Sequence, residues 1–295
     1  MKISDILASY EYCKKITINH YENFPVASVL FPGSKRKHIY SIYAFARTAD
    51  DIADSNKYTS NEKIDFLNEI EHDFLDSLDE KFKSKTSYSG KILPALCDTI
   101  KNFNIPEIEF LNLLKAFKQD AVLKRYNNFS ELIEYSKLSA NPIGHLVLYV
   151  SGYNPASNSE LFEKSDKICT ALQLTNFWQD VSIDLNINRI YIPLTIMHNY
   201  GYNEKLFYKK TENQNFKSIM KFLVSKTYSI FDEGKSITDI LNRRLNLEFK
   251  AIYNGGTAIL EKIRKSDYKV LSKRVSLGKK DKLFILLKSI LGIGF

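Results

Sequence analysis

The sequence predicts an all-α fold, on three observations. Apolar residues recur every three to four positions through most of the 295 residues, which is the period of an amphipathic helix. The strict alternation that marks a half-buried strand is nearly absent. No Pro/Gly/Ser-rich linker divides the chain, so residues 1–295 are expected to share one large helical core as a single domain.

Taken in order, Ser4 can cap a first helix running to about His20. Pro25 and Pro32-Gly33 interrupt the chain, and a second helix then carries Ser41-Ile42-Tyr43-Ala44-Phe45-Ala46-Arg47 to about Asp54. From Asn61 to Leu78 the apolar positions Ile64, Leu67, Ile70, Phe74 and Leu78 fall on one helical face. The same periodicity predicts helices over about 90–103, 107–120, 130–151, 160–185, 214–245 and 247–265, with a last amphipathic one near 279–291. Pro142 lies inside the 130–151 pattern and should kink that helix.

Composition narrows the function classes. At 44% hydrophobic and 26% charged, the chain can build a globular core. Cys13, Cys97 and Cys169 are widely spaced and odd in number, which fits reduced thiols rather than a disulfide framework or a zinc ribbon. The five histidines form no His-x-x-x-His pair. Asp5, Glu11, Lys14 and Lys15 interrupt any signal-peptide core, and no stretch of eighteen apolar residues exists, so a cytoplasmic location is expected. Between Lys262 and Lys288 ten Lys/Arg stand against two Asp, which accounts for the whole formal charge of +8. The basicity is therefore a C-terminal feature, and without a base-reading motif it predicts no nucleic-acid partner. Within about 277–295, Lys279, Lys280, Lys282 and Lys288 flank Leu283, Phe284, Ile285, Leu286, Leu287 and Ile290. That composition predicts peripheral association with an anionic membrane, on its inner face; a helix packed on the fold is the alternative.

Two constellations carry chemistry. In Arg47-Thr48-Ala49-Asp50-Asp51-Ile52-Ala53-Asp54, Asp50 and Asp54 share one helix face. At about 6 Å and an effective dielectric of about 20, their repulsion costs roughly 3 kcal/mol before screening. Such a cost suits a cation site better than a solvated acidic face, because the flanking Ile42, Tyr43, Phe45 and Ile52 are apolar or aromatic. In the second, Asn176, Asp180 and Asp184 step by four within Leu172-Gln173-Leu174-Thr175-Asn176-Phe177-Trp178-Gln179-Asp180-Val181-Ser182-Ile183-Asp184. These hard oxygen donors suit Mg²⁺. Two such helices could act as jaws on a diphosphate, with more than one Mg²⁺ neutralising the leaving group. The carbocation left behind needs a dry aromatic wall, for which Phe24, Tyr43, Phe45, Tyr135, Phe177 and Trp178 are candidates, with ordinary core packing as the alternative for each.

Asp50-x-x-x-Asp54 and Asn176-x-x-x-Asp180-x-x-x-Asp184, together with Tyr40 to Arg47 and Arg189-Ile190-Tyr191-Ile192-Pro193, resemble the motifs of the trans-isoprenyl head-to-head synthases: squalene, phytoene and dehydrosqualene synthases. The resemblance covers about residues 9–275. Three segments resemble the hopanoid-pathway HpnC branch: Glu22-Asn23-Phe24-Pro25-Val26, Leu138-Ser139-Ala140-Asn141-Pro142-Ile143-Gly144, and Leu172 to Asp180. The resemblance implies an isoprenoid synthase fold around a central cavity. It implies conversion of presqualene diphosphate and water to hydroxysqualene and diphosphate, with Mg²⁺ and without NADPH. It also implies Mg²⁺ ligands at Asp50, Asp54, Asn176, Asp180 and Asp184, and a reacting-site tyrosine at Tyr135. Arg47, Asn23, Gln179, Tyr191 and Arg274 would lie at the diphosphate.

The sequence departs from the carotenoid-type pattern at three places. Tyr21 and Asn23 follow His20 where serines are usual, Gln179 stands in place of an arginine, and Gly255-Gly256 replaces a tyrosine. The glycine pair would open space for a quenching water, with Asn141 or Gln179 as the polar group holding it, or would simply let helices approach. The rival readings are condensation to presqualene diphosphate, squalene, dehydrosqualene or phytoene, and a non-catalytic assembly factor, against which the five intact metal-type positions argue.

Overall fold

The computed structural model describes residues 3–19, 33–79 and 87–293. Among the described residues the regular structure is entirely helical apart from one isolated bridge, Arg125 to Ile190. The chain divides into two compact units. One holds residues 1–122 and 142–159, the other residues 123–141 and 160–295.

The first unit is built on α1 (Ile3–Asn19), α2 (Gly33–Asp54), α3 (Ser60–Leu78), α4 (Ser87–Phe103) and α5 (Ile108–Val122). A capping box starts α3: the Thr59 hydroxyl accepts from the Glu62 N–H, and the Glu62 carboxylate accepts from the Thr59 N–H at 2.8 Å. The predicted face of α3 turns inward, with Leu67, Ile70 and Phe74 buried. Phe45, Phe74 and Phe110, from α2, α3 and α5, meet with ring centroids 5.4–5.6 Å apart. Phe45 is therefore core. Where α1, α2 and α4 meet, polar groups satisfy one another. The Tyr10 hydroxyl donates to Asp98 at 2.6 Å, and His38 Nδ1 lies 2.9 Å from both the Tyr10 and Thr99 hydroxyls. Burial pushes His38 down to about 4, so its ring is neutral near pH 7.

The predicted helix over 130–151 is two helices, α6 (Phe129–Ser139) and α7 (Asn141–Ser151). Pro142 has no N–H to continue the ladder, and it disfavours helical backbone at the residue before it. The division between the units falls at the same point. α8 (Pro155–Gln179) is bent at Asn158, beside the next crossing between units.

The second unit continues with α9 (Val181–Asn186), α10 (Leu194–Asn199), α11 (Glu204–Tyr208), α12 (Gln214–Gly234), α13 (Ile237–Ile240), α14 (Arg243–Lys265) and α15 (Lys279–Ile290). The predicted helix over 214–245 thus ends at Gly234. A Cβ there would stand 2.8 Å from Ile168 Cδ1 and 2.9 Å from the Lys164 carbonyl, so α12 comes close to α8 at a residue with no side chain. Asn242 then starts α14, its side-chain oxygen accepting from the Leu245 N–H at 3.2 Å. Trp178 is fully buried and donates its indole N–H to Thr227 at 2.8 Å, which ties α8 to α12. No described helix is long and apolar enough to cross a membrane.

Candidate active site

The last turn of α2 gathers Asp50, Asp51 and Asp54 at the negative end of the helix dipole, with no basic residue in that turn. Arg47, one turn earlier, lies 2.6 Å from Asp51 and 3.4 Å from Asp50. The Asp50 carboxyl is nevertheless pushed up to about 7, first by burial and then by Asp54, with a further contribution from Asp120. Asp120 was not singled out from the sequence. It is a buried carboxylate on α5, among the inward-facing Leu113, Leu114, Ala116 and Ala121. The donors gathered at this helix end are hard oxygens, of the kind a divalent cation such as Mg²⁺ takes.

In the second unit the helix does not run unbroken through the second cluster. α8 ends at Gln179, Asp180 takes φ −100° and ψ 11°, and α9 follows. The hydrogen-bond ladder survives the break: Asp180 N–H bonds to the Asn176 carbonyl at 2.8 Å, and Asp184 N–H to the Asp180 carbonyl at 2.9 Å. Asn176 is exposed, and Asp180 and Asp184 are partly exposed. Arg274 forks onto Asp180, with Nε on Oδ1 and Nη2 3.1 Å from Oδ2.

Arg274 reaches Asp180 because the strap between α14 and α15 is pinned. Glu212 accepts from the N–H groups of Leu271 at 2.8 Å and Ser272 at 3.1 Å, and from the Ser272 hydroxyl at 2.9 Å. Gln179 is buried and donates its side-chain amide to the Val275 carbonyl at 2.8 Å. This bond gives Gln179 a structural task next to Arg274. Asn141, the other polar group suggested for water, is buried and accepts from the Thr170 hydroxyl at 3.0 Å. The space expected at the glycine pair is filled at Gly256: a Cβ there would meet Phe231 at 2.5 Å and Leu172 at 2.9 Å. Gly256 serves close helix packing.

Four aromatic side chains gather in the same unit. Phe177 and Tyr191 stack at 3.7 Å between centroids, Tyr126 lies 5.6 Å from Tyr191, and Tyr135 lies 5.9 Å from Phe177. All four are buried. Such a group offers π faces to a cation while excluding water. Tyr126 is the member that sequence reasoning missed. Asn23, with His20, Tyr21 and Phe24, lies outside the described residues. Among the described residues no three His, Cys, Asp or Glu side chains form a ready-made metal cage. Mg²⁺ in enzymes of phosphates commonly uses one or two carboxylates, with water and phosphate oxygens completing its shell.

Residues 18–281 match the family model for squalene/phytoene synthase. The chain belongs to the squalene/phytoene synthase family. It is 31% identical over 248 residues to a hydroxysqualene synthase of Sinorhizobium fredii, covering 83% of this chain and 80% of the relative. The squalene synthase HpnC of Alicyclobacillus acidocaldarius superposes with a TM-score of 0.80 at 30% identity, over 90% of this chain and 97% of that one. A ligand-bound dehydrosqualene synthase shares the fold, with a TM-score of 0.84 at 21% identity over 98% of both chains. This squalene/phytoene synthase family member is an isoprenoid synthase of the head-to-head type, acting on isoprenoid diphosphates.

Proposed function

We propose that the enzyme converts presqualene diphosphate and water into hydroxysqualene and diphosphate. The likeness to hydroxysqualene synthases carries this reading, since it extends over at least four fifths of each chain compared at 30–31% identity. In the reaction the carbon–oxygen bond to diphosphate breaks and leaves a carbocation. Rearrangement of this cation opens the three-membered ring and moves the positive charge to another carbon; a water oxygen bonds there, and one proton is released. No hydride is consumed, so NADPH has no part in the stoichiometry.

More than one Mg²⁺ fits the carboxylate clusters, at Asp50 and Asp54 and at Asn176, Asp180 and Asp184; bound there, it would supply positive charge to the departing diphosphate. Arg47 and Arg274 each offer a guanidinium beside one of the clusters and would bind diphosphate oxygens. Asp120 adds to the negative field around Asp50. Tyr126, Tyr135, Phe177 and Tyr191 suit the cation, and the three phenols carry hydroxyls able to orient water. Glu212 and Gln179 hold the strap that presents Arg274.

The deciding assay supplies presqualene diphosphate and Mg²⁺ in water labelled with heavy oxygen, with and without NADPH. Labelled thirty-carbon alcohol, at a rate NADPH leaves unchanged, is the expected result. Squalene formed only with NADPH, or an oxygen-free triene, would overturn the hydroxylation reading in favour of another head-to-head product.

A further inference from the structure

α15 is fixed in rotation about its own axis. Ile285 and Ser289, one turn apart, are buried against α14, and Asn254 donates to the Ser289 hydroxyl at 3.0 Å. Lys262 holds Asp281 at 2.7 Å, and the Gly278 N–H donates to the same carboxylate at 2.6 Å. These contacts decide which side of the helix faces outward.

The outward side is apolar. Leu283, Leu287 and Ile290 repeat at i, i+4 and i+7, away from Ile285 and Ser289, and all three are exposed. Phe284 and Leu291 extend the stripe at 64% and 70% exposure. A lone exposed leucine needs no explanation, but a contiguous stripe of this length does. For a surface helix the apolar residues are unusually placed: of its two buried positions one is Ile285 and the other a serine, while Leu283, Phe284, Leu287 and Ile290 face out. Lys279 and Lys280 open the helix, and Lys282 and Lys288 border the stripe.

We propose that α15 is an interfacial anchor that seats this apolar stripe in an anionic lipid bilayer. Charge complementarity selects this occupant. A second copy docked through the same stripe about a twofold axis would bring two lysine borders together, whereas acidic headgroups neutralise them. The depth reached by leucine and phenylalanine side chains suits the headgroup boundary, with the lysines at headgroup level. The inference is independent of which isoprenoid product the enzyme makes.

The full-length protein tests it by co-sedimentation with vesicles of phosphatidylcholine alone and of phosphatidylcholine mixed with phosphatidylglycerol. The mixed vesicles should bind the protein at least about tenfold more strongly, less so as salt is raised. Leu283→Ser combined with Phe284→Ser and Leu287→Ser should reduce binding at least about tenfold without loss of helical circular dichroism, because these side chains are exposed. Lys279→Glu with Lys280→Glu should do the same through charge alone. Light scattering of the same proteins in solution reads self-association. Equal binding of both vesicle types, equal binding by the serine variant, or a dimer that the serine variant dissolves while no vesicle binds, would each overturn the anchor.

Discussion

Replacing Asp50 with Asn should make the metal-free protein more stable while removing activity. The carboxyl is lifted from 3.8 to about 7, by burial first and by Asp54 and Asp120 after it. The folded state therefore holds this proton more tightly than the unfolded chain does. Below about pH 4 the group is protonated in both states and costs nothing; between about 4 and 7 the cost grows, and above 7 it is complete. The full shift would correspond to roughly 4 kcal/mol. Protein surrounds the carboxyl, yet its side chain keeps 36% of its surface, and solvent screening brings the expected gain down to about 1–2 kcal/mol. The neutral amide of the Asp50→Asn variant avoids this cost at every pH. His38 acts in the opposite sense: its folded pKa of about 4 lies below the ordinary 6.5, so stability falls as pH drops through that window. Comparing variant with wild type at each pH cancels the His38 contribution. Urea unfolding in chelator at pH 8 and at pH 4 is the assay. The variant should lead at pH 8 and lose most of that lead at pH 4, while its turnover with Mg²⁺ falls at least about a hundredfold, about 2.7 kcal/mol in the barrier. A variant less stable at pH 8, or a lead independent of pH, would refute the electrostatic account of this helix end.

Asp180→Asn should cut turnover at least about a hundredfold at saturating Mg²⁺ with the fold intact, measured by diphosphate release. Glu212→Ala frees the two strap N–H groups and should raise KM about tenfold while kcat changes less, with product diphosphate inhibiting more weakly. Gly256→Ala drives a methyl into Phe231 and Leu172, which costs about 1–3 kcal/mol against a helix-propensity gain of about 1 kcal/mol. A lowered midpoint in thermal melts is expected, and an unchanged one would restore the open space expected at the glycine pair.

Helix type was legible because periodicity is a local property. Leu67, Ile70 and Phe74 were read from spacing and are buried as expected. Helix ends were less legible, because tertiary contacts set several of them. Gly234 ends α12 where α8 presses on it, and Asp180 turns the backbone with no proline or glycine to signal a break. The carboxylate pairs could be seen because both partners lie on one stretch of chain. Asp120 and Tyr126 could not, because their significance comes from neighbours far along the sequence. Gln179 is placed at the diphosphate by the resemblance alone, as the residue standing where an arginine is usual. In a helix, adjacent residues point about 100° apart, and one N–H of the Gln179 amide goes to the Val275 carbonyl.

Arg274 stands four residues ahead of Gly278, the residue that caps the start of α15. The strap is thus a short tether with the exposed apolar stripe of α15 at one end and a guanidinium near its middle. Its slack is taken up at Glu212 upstream and at Gln179 beside Arg274. A pull on α15 would travel through Leu277 and Val275 to the Gln179 hydrogen bond before it reached the Arg274–Asp180 contact. That amide-to-carbonyl bond acts together with the contacts that hold α15 on α14, and both stand between movement at the surface and the cluster.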